Sequence, residues 1–303
     1  MIINRAAKRG LFELNKDRNV EGLMVYDFKE DKCIRLDRYK DWRINALSSD
    51  GQYVAINKIS ETTKAYKTDF AIVKVDTQEE IFMTNKYCVY DAAFSLESDK
   101  VLLVVHNKKP FCLDLKTKEI TAEMPKNIRT YHGSFNKITN QFIAPSETLK
   151  DTVYLFDFNS GETTKLKFGL KEKIGGMQYL NDQKSLIVIT ESSIVYCLDE
   201  NYKVIWKTDF NTLFDYPVRI NASRVLQTED SKYFMVDASS TETNDWGAEY
   251  TLEVETGKLI NTVESYQYRG RVQDVYFENK VLLYTYSTLD VVTGEVKELN
   301  LNL

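Results

Sequence analysis

The sequence predicts an all-β chain built from seven copies of one four-stranded antiparallel unit, and three observations carry that prediction. The first is a recurring stretch in which an apolar run ends on an acid, a polar turn follows, and a charged residue opens a new extended run. Its copies are VYDFKEDK at Val25, VKVDTQEE at Val73, CLDLKTKE at Cys112, LFDFNSGE at Leu155, CLDENYK at Cys197, LEVETGK at Leu252 and LDVVTGE at Leu289. The second is spacing. The acids Asp27, Asp76, Asp114, Asp157, Asp199, Glu253 and Asp290 lie 49, 38, 43, 42, 54 and 37 residues apart, close to the ~40–45 residues that four short strands with their turns occupy. The third is composition. The chain holds 19 Tyr and 15 Phe against 4 Pro, so strand formers abound, and no long amphipathic helical stretch stands out.

Each unit also carries a weaker hairpin upstream of its acid. ALSSDGQYVAI from Ala46 is the clearest, a strand, a Ser-Asp-Gly turn and an alternating strand. AFSLESDKVLLVV from Ala93, SFNKITNQFIA from Ser134, QYLNDQKSLIVIT from Gln178, LQTEDSKYFMV from Leu226 and VYFENKVLLYTY from Val275 follow it. Their turns use Asn, Asp, Ser, Gly and Lys, which enter tight-turn geometry at low cost. Two hairpins give four strands, and the units fall near residues 1–36, 42–84, 87–124, 129–168, 174–208, 218–263 and 271–303, within one domain. The first unit has a poorly marked opening strand. The last already owns an outer strand, EVKELNL, so no strand exchanged between the termini is required. A twisted four-stranded sheet covers neither of its own faces. Stacking sheets covers both, and closing the stack removes its ends. The continuous apolar runs VLLVV at Val101 and SLIVI at Ser185 suit strands covered on both sides. The expected architecture is a single seven-bladed β-propeller.

ALSSDGQYVAI resembles the FSPDG-type hairpin of the WD40-like and YVTN-like propellers. FDFNSGETTKL, LEVETGKLI and LDVVTGEVKEL resemble their D-x-x-T-G-K/E segment. No Gly-His opens a unit and no Trp-Asp closes a third strand, so the hydrogen-bonding tetrad of true WD40 repeats is missing. The resemblance implies a propeller of about seven blades and no particular activity, because such folds host both enzymes and binding platforms.

Net charge is −5, which argues against indiscriminate nucleic-acid binding. No apolar run approaches the roughly 18–20 residues of a membrane span, and the opening MIINRAAKRGLFEL lacks the apolar centre of a signal peptide. Cys33, Cys88, Cys112 and Cys197 form no CxxC pair, and Cys112 and Cys197 hold the same repeat position. Buried, unpaired thiols in a reducing cytoplasm are expected.

The connections from one unit to the next share a flavour. They read DRYKDWR, NKYCVYD, PKNIRTYH, DFNTLFDYPVR and ESYQYRGR. Tyr, Trp and Arg dominate binding hot spots because they combine large contact area with polar anchoring. The predicted partner-binding residues are Arg38, Tyr39, Trp42, Arg43, Tyr87, Tyr90, Arg129, Tyr131, Phe214, Tyr216, Arg219, Tyr266, Tyr268, Arg269 and Arg271, with Trp246 in the long ASSTETNDWGAE connection. The competing reading is that these side chains only cover unit ends and pair with acids. In the remaining connection, FGLKEKIGG, the Gly175-Gly176 pair predicts close backbone packing.

Enzyme signatures are sparse. Only His106 and His132 are present, no GxSxG elbow occurs, and no His or Cys set can hold zinc or haem. No phosphate loop is found. The repeated acids suit turn formation. Asp91 and Asp274 are candidates for a carboxylate pair at a channel mouth. The sequence therefore favours a monomeric, non-enzymatic platform that binds another protein, as adaptor, assembly factor or enzyme-neutralising inhibitor, without cofactor or metal, nucleic acid or membrane. A YVTN-like hydrolase or lactonase with channel carboxylates, or a small-ligand or glycan sensor, is the alternative.

Overall fold

The computed structural model describes the chain apart from residues 1, 5, 17–18, 60–67, 106–107, 127, 129–132, 229, 241–246, 265–271, 278–279, 284–286, 291 and 299–303. The chain divides into two compact units. One comprises Met1–Tyr131, Thr139–Phe142 and Leu155–Thr164, and the other His132–Ile138, Ile143–Tyr154 and Lys165–Leu303.

Among the described residues there is no α-helix, only a 3-10 turn at Phe210–Thr212, and the strands form seven four-stranded sheets. The first holds β1 (Ile2–Asn4), β2 (Arg9–Lys16), β3 (Asn19–Asp27) and β4 (Lys32–Leu36). The second holds β5 (Trp42–Leu47), β6 (Tyr53–Ile59), β7 (Thr68–Lys74) and β8 (Glu79–Thr84). The third holds β9 (Val89–Phe94), β10 (Lys100–Val105), β11 (Phe111–Asp114) and β12 (Ile120–Glu123). The fourth holds β13 (Ser134–Asn136), β14 (Gln141–Pro145), β15 (Thr152–Asp157) and β16 (Thr163–Lys167). The fifth holds β17 (Ile174–Tyr179), β18 (Leu186–Thr190), β19 (Ile194–Leu198) and β20 (Val204–Asp209). The sixth holds β21 (Val218–Gln227), β22 (Tyr233–Ser240), β23 (Gly247–Glu253) and β24 (Leu259–Glu264). The seventh holds β25 (Val272–Phe277), β26 (Lys280–Leu283), β27 (Ser287–Asp290) and β28 (Val296–Glu298). Every sheet keeps chain order, and each pairing with a defined register is antiparallel.

The acids at the hairpins between third and fourth strands build those turns. Asp27, Asp114, Asp157 and Asp290 each accept two backbone N–H bonds from the residues two and three further on, at 2.8–3.0 Å. Asp199 does the same for Asn201 and Lys203 in a tighter turn. Four residues after the acid the backbone turns left-handed, at Asp31, Lys118, Gly161, Gly257 and Gly294. These N–H bonds favour the carboxylate form. The Glu30 N–H, then Arg9, hold the Asp27 carboxyl below its ordinary range, and the Thr117 N–H leads the same effect on Asp114.

The second sheet departs from the expected pattern. Lys74 pairs with Glu79 as Asp27 pairs with Lys32, and left-handed Gln78 lies four residues past Lys74. The turn acid's place is therefore held by Lys74 and not by Asp76. Asp76 instead meets Arg9, whose guanidinium bridges it at 3.1 Å and Asp27 at 2.9 Å.

The hairpins between first and second strands bond to one another. Asn4 Nδ2 donates to the Ser48 and Ser49 carbonyls at 2.7 and 2.9 Å. Ser49 Oγ donates to the Ser95 carbonyl, and the Leu96 N–H to Asn140 Oδ1 at 2.8 Å. In the other unit, Asn136 Nδ2 donates to the Gln183 carbonyl at 2.8 Å, and the Asn181 N–H donates to Gln227 Oε1.

Apolar layers fill the spaces between neighbouring sheets. Leu23, Val25 and Leu36 of the first sheet pack with Val54, Ile56 and Val73 of the second. Phe70 and Ile72 pack with Phe94, Val101 and Leu103. Ile187, Ile189 and Val195 pack with Phe234, Val236 and Leu252. Val101–Val105 and Leu186–Ile189 are buried along their whole length, as strands covered on both faces must be. Cys88, Cys112 and Cys197 are buried free thiols, and burial lifts Cys112 to about 11 and Cys197 to about 12. Cys33 corrects the expectation, since it is exposed on the edge strand β4.

Outer strands carry a repeated irregularity. Ile81, Thr121, Ile205 and Ile260 are each an extra residue opposite the third strand of their sheet. The outer strand also receives the next sheet's turn. Trp206 Nε1 donates to the Val254 carbonyl at 2.9 Å, and the indole ring lies against Gly257. Gly257 has φ +69, and a Cβ there would overlap the ring. Gly161 has φ +75 in the equivalent turn, but its Cβ would meet only the Ala122 methyl at 3.3 Å. Gly161→Ala is expected to cost about 1–2 kcal/mol from backbone conformation, and Gly257→Ala about 1–3 kcal/mol more from overpacking. Urea unfolding of the two variants measures this, and equal costs would refute the ring contact.

Candidate partner-binding surface

In the unit containing the first three sheets, the first connection is turned inward. Tyr39 is buried, meets Trp42 edge-on at 5.2 Å, and donates its hydroxyl to Glu80 Oε1 at 3.0 Å. Burial first, then Glu80, pushes that hydroxyl up to about 12. Trp42 is buried in the layer between the first and second sheets. Arg38 is exposed but already engaged. It lies 4.9 Å above the Tyr39 ring, donates to the Gln78 carbonyl and stands 3.6 Å from Glu80. Arg43 Nη1 meets Glu13 Oε2 at 3.1 Å, while Glu13 Oε1 accepts the Ile44 N–H at 3.2 Å. Tyr39 and Trp42 are thus corrected from surface contacts to packing residues. Aromatic bulk with a polar tip serves an inter-sheet joint as well as it serves a docking face.

The second connection in that unit is more open. Tyr87 is half-buried, packs on Phe111 at 5.3 Å, and has Lys108 Nζ 4.6 Å above its ring. Tyr90 is the extra residue of a β-bulge in β9, and its side chain lies outside those described. Arg129, Tyr131, Trp246, Tyr266, Tyr268, Arg269 and Arg271 lie outside the described residues, as do His106 and His132.

In the other unit, the connection from β20 to β21 is the best defined. Phe210 is fully buried and stacks with Phe214 at 6.4 Å. Phe214 is half-buried and lies 5.4 Å from Tyr216 and 5.3 Å from Tyr250. Tyr216, Arg219 and Leu213 are exposed. Leu213 was absent from the sequence expectation, which selected aromatic and Arg residues. Its signal was an apolar residue in a polar connection, DFNTLFDYPVR. In the preceding connection, Gly175 and Gly176 are buried at a β-bulge opposite Ile189.

No protein-family model matches the chain, and no curated protein matches it.

Among the described residues the inner strands carry one unusual carboxyl. Asp91 in β9 keeps part of its surface accessible, yet burial lifts its pKa to about 7 against a single N–H bond from Ala92 at 2.8 Å. Asp274 lies in β25, opposite Leu282, with its side chain outside those described. Among the described residues no group of three or more His, Cys, Asp or Glu is placed to hold a metal ion. Among the same residues no helix is long and apolar enough to cross a membrane.

The inward turn of the first connection has a measurable consequence. Trp42→Ala is expected to lower stability by about 3–5 kcal/mol, whereas Arg43→Ala, an exposed ion-pair loss, should stay within about 1 kcal/mol. Urea unfolding checks both, and a Trp42→Ala variant as stable as the parent would return Trp42 to the surface.

Proposed function

We propose that the chain is a non-enzymatic β-propeller of the WD40-like or YVTN-like kind that binds another protein through the connections between successive blades. Two features support the ring. Each sheet is complete in four consecutive strands, which is how propeller blades are built. In addition, the face of the first sheet turned away from the second presents Phe12, Leu14, Met24 and Tyr26, all half-buried. An apolar sheet face of this kind needs a cover, and closure by a last blade would provide it. A closed ring of this length has a radius of gyration of about 19 Å. Small-angle X-ray scattering giving a clearly larger value with an elongated profile would rule the ring out.

The observation that carries the binding role is the connection from the fifth to the sixth sheet. It places the exposed Tyr216 on a rooted aromatic stack, with Arg219 exposed three residues further on. Exposed aromatic and guanidinium groups on a rigid support suit a protein contact better than catalysis. The partner would be met in the cytoplasm by a monomeric chain acting as an adaptor, assembly factor or inhibitor. The second reading, hydrolysis by inner carboxylates, has the raised Asp91 in its favour, because a carboxyl titrating near neutrality can act as a general acid.

The test is affinity capture by the full-length chain, with the identified partner then titrated against a Tyr87→Ala/Tyr216→Ala/Arg219→Glu variant. The expected result is a loss of affinity of at least about tenfold in a variant that still unfolds cooperatively, its midpoint lowered by loss of the Tyr87–Phe111 contact. Unchanged affinity would remove the connections as the binding surface.

A further inference from the structure

The connection Asp209–Arg219 is held at both ends by the neighbouring turn of the fifth sheet. The Phe210 N–H donates to the Ser193 carbonyl at 3.2 Å, and the Ile220 N–H donates to Ser193 Oγ at 3.1 Å. Asn211 Nδ2 donates to the Ser192 carbonyl at 2.8 Å, and Thr212 Oγ1 donates to the Asp209 carbonyl at 2.8 Å. Asp209 accepts the Asn211 N–H and so caps the 3-10 turn. Both backbone ends and the Asp209, Asn211 and Thr212 side chains are thereby tied down within the protein. What remains outward is Leu213 at 43% exposure and Tyr216 at 38%, on either side of the half-buried Phe214 and the exposed Asp215.

We propose that Leu213, Phe214 and Tyr216, with Asp215 between them, form a docking anchor for a protein segment that carries a lysine or arginine beside a large apolar side chain. This rests on the platform reading and assigns its contact to one connection. The aromatic stack below fixes the position of Phe214 and Tyr216, so little freedom is lost when a partner covers them. Such rooted aromatic residues, ringed by near-neutral contacts, are where binding free energy concentrates. Charge then selects the occupant. Asp215 has no ion pair among the described residues, and a covered carboxylate without a cation is strongly disfavoured. Asp209 adds a second acid to the connection, and Arg219 is its one cation. A basic side chain from the partner satisfies Asp215, whereas a phosphate backbone is repelled by it.

The experiment is selection of phage-displayed random peptides on the full-length chain. The selected peptides are then titrated by fluorescence anisotropy against the parent, Leu213→Ser/Tyr216→Ser and Asp215→Lys. The expected peptides carry Lys or Arg next to a large apolar residue, and their Kd rises at least about tenfold with Leu213→Ser/Tyr216→Ser. Asp215→Lys is expected to shift selection toward Asp- or Glu-containing peptides, which keeps the test independent of the double variant's folding. Peptides without a basic preference, binding to both variants as tight as to the parent, or failure to select any peptide would overturn the anchor. Peptides lost with Arg43→Ala/Tyr87→Ala but retained by Leu213→Ser/Tyr216→Ser would overturn it while leaving the platform intact.

Discussion

Bonds between successive inner hairpins hold the sheets of each unit in register. Apolar layers attract neighbouring sheets but do not direct them, since burial is nearly indifferent to small slides. A hydrogen bond is not indifferent. Asn4 reading the Ser48 and Ser49 carbonyls, and Asn136 reading Gln183, fix one turn against the next at a single offset. The paired residues are 44, 45 and 47 positions apart, so the sequence period and the spatial step are the same quantity. Outer strands add a second row of ties, among them Trp206 to Val254 and Thr208 Oγ1 to the Gly257 carbonyl. The sheets are thus fastened along two lines with apolar side chains between.

Much of this was legible in the sequence. Strand alternation, turn chemistry and the interval between acids located the sheets, because each reports a local property of the chain. The acid of the second hairpin was misread for the same reason. Asp76 looks like its counterparts in sequence, but register gives the position to Lys74, and Asp76 is taken by Arg9 from another sheet. The reading from one turn to the next was also hidden. Asn4, Asn136 and Gln183 look like ordinary turn residues until the neighbouring carbonyl is seen.

The candidate surface was legible only in part, and the reason is chemical. Tyr39, Trp42 and Arg43 have the composition of a hot spot, yet two are buried and the third is paired with Glu13. A Tyr hydroxyl finds Glu80 within the molecule by the same chemistry that would find a partner's carboxylate. Composition cannot separate these outcomes, whereas burial can. Leu213 escaped because the reading sought aromatic and Arg side chains, while rigidity and exposure make an aliphatic residue equally fit for contact.

The extra residues at Ile81, Thr121, Ile205 and Ile260 sit on the outermost strands. A bulge there twists the free edge out of line with any incoming strand. Apolar side chains such as Met83 and Ile205 can therefore remain in water without recruiting other chains into fibrous stacks. Because every sheet is also completed from contiguous sequence, copying or deleting one stretch of gene adds or removes a whole sheet and leaves the pairing of all others untouched. Change in such a chain comes in whole modules, and a module copied from the second, third, fifth or sixth sheet arrives with its own protected rim.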